Sequence, residues 1–225
     1  MEIQYSSKRQ VEKIGSFQLE IECLDDLDRT IDDVFRQLEA IGNPQLLEEL
    51  CPYFGVVWPA ARGLAEYLAQ LPHDAVSGKS LLELGCGLAI PSMVASMRGA
   101  RVVATDFHPI VPQFLNSNIR LNKIINLEYQ VVNWEKERPD LGQFDWVVGS
   151  DILYERRYPK SLAETIRSQM KPGATVIIAD PGRPYLQNFS DAMKELGFEL
   201  ETHIYSVPHG NKNQEVFVLL FKLPA

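Results

Sequence analysis

A carboxylate followed by two glycines is the first group of residues in this chain that could do chemistry. Glu83-Leu84-Gly85-Cys86-Gly87 continues an apolar run of Leu81, Leu82 and Leu84, which reads as a strand buried on both faces. A helix is expected from about Ile90, with Pro91 and Ser92 tolerated in its first turn. Strand, glycine turn and helix make the geometry of a nucleotide-binding βα unit, because glycine lets the backbone approach a ligand and reach positive φ. A dinucleotide fingerprint would need a third glycine where Ile90 stands. Asp106 lies 19 residues beyond Gly87, at the end of a second apolar run from Ala100. At that spacing a carboxylate meets the ribose hydroxyls of a bound nucleoside, and it can accept from both. Phe107 follows and is placed to pack beside the base. A fourth strand, from Gln143, ends in Gly149-Ser150-Asp151, and ligands of parallel sheets bind beyond the carboxyl ends of strands.

The E-x-G-x-G run at Glu83 to Gly87 resembles the first motif of class I S-adenosylmethionine (SAM) methyltransferases. That resemblance implies that Gly85, Cys86 and Gly87 sit under the methionyl part of the cofactor and that Glu83 helps hold its ammonium group. Gly55-Val-Val-Trp58-Pro59-Ala60-Ala61 resembles the tryptophan segment of methyltransferase family 16, the seven-strand lysine methyltransferases, where the tryptophan borders the SAM pocket. Asn133-Trp134 resembles the same family's D-W-like pair beside the adenine, with an amide in place of the commoner aspartate. Asp151-Ile152-Leu153-Tyr154 resembles its D-x-x-Y motif after the fourth strand. These matches run in order from Gly55 to Tyr154. They imply SAM, with S-adenosylhomocysteine as product, and an amine acceptor, a protein lysine above all. Asp151 would orient the incoming ammonium and Tyr154 would line its channel, while Ser150 joins the cofactor shell. A small-molecule N- or O-methyltransferase, and a SAM-binding protein without transfer activity, stay open as alternatives. The turn Asp180-Pro181-Gly182-Arg183-Pro184 is faintly similar to the branch acting on the electron-transfer flavoprotein β-subunit.

The elements that must carry these residues read as follows. The expected fold is α/β, a Rossmann-like, seven-stranded class I methyltransferase sheet with helices on both faces. Five parallel strands start near residues 81, 100, 127, 143 and 174, and a closing antiparallel pair covers 198–207 and 215–222, joined by a polar loop from Pro208 to Gln214. Helices are expected at 59–71, 91–98, 114–122, 157–170 and 185–196, most of them ended by glycine or proline. Residues 1–52 form an N-terminal extension packed on the domain of residues 53–225. Within it QLEIEC alternates as a half-buried strand, Gly15-Ser16 turns a hairpin, and an amphipathic helix runs to Gly42-Asn43-Pro44. The extension either covers the sheet edge or the cofactor, or selects the substrate.

A chain of 225 residues can build one sizeable core. Its net charge of −8 argues against a broad nucleic-acid footprint, which needs a basic face. Cys23, Cys51 and Cys86 are odd in number and far apart, so neither a disulfide framework nor a metal ligand set is expected. No apolar run reaches membrane-spanning length, and the first residues lack the apolar stretch of a secretory signal. A cytoplasmic protein is expected.

Overall fold

A computed structural model describes residues 5–134 and 140–224. In chain order the elements are β1 (Ser7–Ile14), β2 (Phe17–Leu24), α1 (Leu27–Ala40), α2 (Leu47–Leu50), α3 (Pro59–Gln70), α4 (His73–Val76), β3 (Ser80–Leu84), α5 (Ile90–Met97), β4 (Arg101–Asp106), α6 (Val111–Leu121), β5 (Leu127–Val131), β6 (Phe144–Ser150), α7 (Tyr158–Ser168), β7 (Met170–Asp180), α8 (Tyr185–Glu195), β8 (Glu199–His209) and β9 (Lys212–Lys222). The main sheet has the order β5-β4-β3-β6-β7-β9-β8. Its first five strands pair in parallel, and β9 runs antiparallel to both β7 and β8. This is the expected seven-stranded α/β sheet.

The strands alternate sides with the period of two that a pleated strand imposes. Leu81, Val148 and Ile177 pack with α3, α5 and α6 on one face. Leu82, Leu84, Val147, Val176 and Ile178 pack with α7 and α8 on the other. Both faces are therefore covered, and the central strands read as continuous apolar runs for that reason.

Two boundaries differ from the sequence reading. α7 ends at Ser168, and β7 already begins at Met170, so Lys171-Pro172-Gly173 lies inside the strand rather than ending the helix. Met170 pairs with Phe144 ahead of an irregularity in the β6–β7 ladder, a place where proline is tolerated. The polar loop expected at 208–214 is a tight turn, because β8 runs to His209 and β9 starts at Lys212. Pro208 fits there because β8 is the edge strand.

β1 and β2 form a separate antiparallel hairpin, turned at Gly15. Ile14, Leu19, Ile21, Cys23 and Leu24 join the same apolar cluster as α3 and α6. The open edge of β2 is closed by two asparagines, Asn118 of α6 and Asn122 at its C-terminal cap. Asn118 accepts from the Glu22 amide at 2.7 Å and donates to its carbonyl at 3.2 Å. One helical turn on, Asn122 does the same for Glu20, at 2.9 and 2.8 Å. Spaced four apart on one helix face, these amides stand in for a neighbouring strand. On the other side, Arg62 of α3 grips Glu12 with two nitrogens at 2.7 and 2.8 Å, both side chains largely buried.

Candidate functional site

The carboxyl ends of β3, β4 and β6 open into a cavity of about 560 Å³. That volume lies within the roughly 300–1,000 Å³ of small-molecule sites. Its floor is the turn from Gly85 to Ile90. The segments after β4, β5, β6 and β7 supply its walls, and a roof comes from α1, α2 and residues 51–61.

The floor is shaped by close approach. Gly85 and Gly87 have φ of 64° and 50°, a region that costs other residues about 1–2 kcal/mol. A Cβ on Gly87 would lie 2.9 Å from the Phe54 carbonyl oxygen, and one on Gly85 would lie 2.6 Å from Ile152. The roof segment thus presses directly onto the glycine turn. Leu24 of β2 fills the space beside Gly55 in turn, where a Cβ would fall within 2.5 Å of its side chain.

Asp106 ends β4 and braces the turn. One carboxylate oxygen accepts from the Gly87 amide and the other from the His108 amide, both at 3.0 Å. The carboxylate keeps a lone-pair site open, and the residue lines the cavity. Burial holds its pKa above the usual carboxylate range, against the pull of the amides of His108, Gly87 and Phe107. His108, which sequence reasoning missed, also lines the cavity. Its Nε2 lies 3.2 Å from the Leu50 carbonyl and its Nδ1 accepts from the Ile110 amide at 3.3 Å. Burial pushes its pKa down to about 4, so the neutral ring ties the roof to β4. Its position directly after Asp106-Phe107 was the available signal.

Glu83 sits beneath the turn rather than in the cavity wall. Fully buried, it faces α5, where one oxygen accepts from the Ser92 amide at 3.0 Å and pairs closely with the Ser92 hydroxyl. Its other oxygen has no hydrogen-bond partner among the described residues. Burial raises its pKa to about 8, with the Ser92 bonds opposing. Asn133 is likewise not part of the described cavity wall, whereas Trp134 is. The Trp134 ring packs at Gly85 and meets Tyr158 edge-on at 5.9 Å. Its buried indole N–H has no acceptor among the described residues.

Trp58, Cys86, Phe107, Ser150, Asp151 and Tyr154 also reach the cavity. Trp58 caps α3 and donates its indole N–H to the Tyr53 carbonyl at 2.8 Å. Tyr53 meets Trp58 and Tyr154 at ring distances of 6.4 and 6.5 Å, giving the mouth an aromatic side. Asp151 has φ of 59°, a conformation Asp tolerates better than most residues, and its amide donates to the Ala179 carbonyl at 3.0 Å. Its carboxylate, 9% exposed, lies 2.5 Å from Arg183. Burial raises its pKa, Arg183 lowers it, and Asp180 raises it again.

A family model described as lysine methyltransferase matches residues 49–195, more than half of the chain. The chain is 34% identical over 144 residues to the human electron transfer flavoprotein beta subunit lysine methyltransferase, covering 62% of this chain and 53% of that protein. It is 29% identical over 185 residues to the protein N-terminal and lysine N-methyltransferase EFM7 of Candida glabrata, with 73% and 69% covered. The chain spans about half the length of the flavoprotein-subunit methyltransferases it matches. Among solved structures, the 16S rRNA methyltransferase RsmC of T. thermophilus, in complex with AdoMet and guanosine, is similar with a TM-score of 0.65 at 16% identity, covering 100% of this chain and 52% of that one. A precorrin-6y methyltransferase from Geobacter metallireducens has a TM-score of 0.61 at 13% identity, with 72% and 89% covered. At these identities the likeness is one of fold.

Proposed function

This chain belongs to the lysine methyltransferase family, and on that premise we propose that it binds SAM in the cavity and transfers the methyl group to an amine, a lysine side chain of a protein. The observation that carries the reading is one cavity bounded by the Gly85–Gly87 turn, the Asp106 carboxylate and Asp151. The residues fit a nucleoside-bearing cofactor. Asp106 has a lone-pair site left for a ribose hydroxyl, and the buried Trp134 N–H has no acceptor among the described residues. When bound, SAM supplies an activated methyl on a sulfonium, so little acid–base machinery is needed from the protein.

The work left to the chain is placement and desolvation. Tyr53, Trp58 and Tyr154 offer aromatic faces that suit the stem and cationic head of a lysine. Asp151 attracts the ammonium, while burial in the mouth favours loss of its proton before attack. The three cysteines are free thiols and support a reducing compartment, the cytoplasm. Among the described residues, no helix is long and apolar enough to cross a membrane.

The test is incubation of a cell extract with methyl-labelled SAM and this protein, followed by hydrolysis and identification of the labelled residue. Label on lysine of a protein, lost with Asp151→Asn, is expected. Label confined to small molecules, or no transfer at all, overturns the lysine assignment.

A further inference from the structure

The turn after β7 carries a feature that the reading above leaves unused. Asp180, with no exposed surface, accepts from the amides of Gly182 and Arg183 at 2.8 and 2.7 Å through one oxygen. Its other oxygen lies 3.5 Å from the Arg183 guanidinium. Gly182 has φ of 90°, and a Cβ there would meet Phe217 at 3.0 Å, so the turn is fixed on both sides. It presents Arg183 to the cavity wall, where the same guanidinium nitrogen lies 2.5 Å from Asp151. Charge does not balance here, since two buried carboxylates share one cation. Nor is bonding complete. Beyond its 3.5 Å contact with that guanidinium, the second Asp180 oxygen has no hydrogen-bond partner among the described residues. Unsatisfied buried polar atoms are uncommon and call for a reason.

We propose that Arg183 is the positioning residue for Asp151, and that the Asp151–Asp180–Arg183 cluster, one negative charge in excess, is the seat for one ammonium group at the cavity wall. The proposal rests on the amine-transfer reading and names which part of the site accepts the amine. Asp180 builds the turn, Arg183 lies between the two carboxylates and closer to Asp151, and the surplus negative charge is shared by a cluster whose cavity-lining members are Asp151 and Arg183. The arriving cation completes a neutral set of four. Without Arg183, two carboxylates in one buried pocket cannot both stay ionised, and one takes up a proton. The charged groups that act on Asp151 are Arg183 and Asp180 from the β7 turn, and the Ala60 backbone of α3 bonds its carboxylate; Glu48, Glu49, Asp106 and Glu155 line the same cavity.

The test is carboxyl ¹³C NMR on wild type, Arg183→Gln and Arg183→Lys, with the Asp151 signal assigned by its loss in Asp151→Asn. In Arg183→Gln the Asp151 titration midpoint should rise by about one pH unit or more, and Arg183→Lys should restore most of it. n-Butylammonium, the lysine side-chain mimic used as probe, should shift the wild-type Asp151 signal and bind at least about ten-fold more weakly to Arg183→Gln. An unmoved midpoint in folded Arg183→Gln overturns the proposal. So does tighter binding of the probe to Arg183→Gln, which would make Arg183 its competitor, or no response of wild-type Asp151 to the probe. None of these readouts needs methyl transfer. Failure of the labelling experiment with these outcomes intact removes the enzymatic reading and leaves the amine seat standing.

Discussion

Glu83 shows how much a residue's type conveys and how little its direction. Its place before the glycines was legible in the sequence, but its burial against Ser92 depends on β3 alternation and on α5 packing over that face. The consequence is a pH dependence with a definite sign. An unfolded glutamate titrates near pH 4.3, and burial carries Glu83 to about 8. Between those values the folded protein holds a proton that the unfolded chain has lost, so stability falls as pH rises through the window. Asp106, Asp151 and Asp180 are also raised by burial and tilt the curve the same way. Glu83→Gln removes one contributor. Urea unfolding from pH 5 to 8 should show its stability falling less steeply than wild type, by about 1 kcal/mol per pH unit. Parallel slopes would mean that Glu83 is ionised within the fold.

At the scale of elements, the chain before α3 acts on the cavity through contacts rather than through chemistry of its own. β2 presses Leu24 against Gly55, Phe54 covers Gly87, and His108 holds Leu50. The Phe54 ring also meets His108 tilted at 4.3 Å and Phe114 edge-on at 5.5 Å. The hairpin, α1 and the amphipathic α3 were readable, because each carries a period and a stop signal of its own. Within the roof Trp58 was readable from its segment, but Tyr53 and Cys51 were not, because they acquire their positions from long-range packing that leaves no local pattern. The same holds for Asn118 and Asn122, which look like ordinary helix-surface amides until β2 is laid beside them. Asn118 is fully buried, so Asn118→Ala strips partners from the Glu22 amide and carbonyl without letting water in freely. Each stranded group costs roughly 1–3 kcal/mol. Chemical denaturation should show Asn118→Ala losing about 2 kcal/mol or more, and the more accessible Asn122→Ala clearly less. Equal losses would mean that the closing of the β2 edge does not depend on burial.

For the molecule as a whole, the fold was the most legible level and the mouth of the site the least. Apolar strands and the glycine-ended helices between them are repeated signals that reinforce one another, so the seven strands, five parallel and a closing antiparallel pair, followed from them together with the motif resemblance. Arg183 was visible within Asp180-Pro181-Gly182-Arg183-Pro184, yet its pairing with Asp151 joins two crossovers of the sheet and has no sequence period. The cavity draws on elements from α1 to the turn after β7, and this has a thermodynamic consequence. A ligand that bridges so many elements binds the folded chain and not the unfolded one, so it raises stability by mass action. SAM at about 100 times its dissociation constant should add about 2.7 kcal/mol. For a chain of this length 1 kcal/mol corresponds to roughly 2–4 °C, so the melting temperature should rise by roughly 5–10 °C. NAD at the same concentration should leave it unchanged, because the third glycine of a dinucleotide site is Ile90. Asp106→Ala, which loses the carboxylate at the end of β4, should need about ten- to hundred-fold more SAM for the same shift, the equivalent of roughly 1.5–3 kcal/mol. The controls separate the causes: a mutant that melts low without ligand but responds to SAM at wild-type concentrations has lost its brace on Gly87 and not a ligand contact. A rise with NAD and none with SAM would overturn the cofactor assignment for the whole cavity.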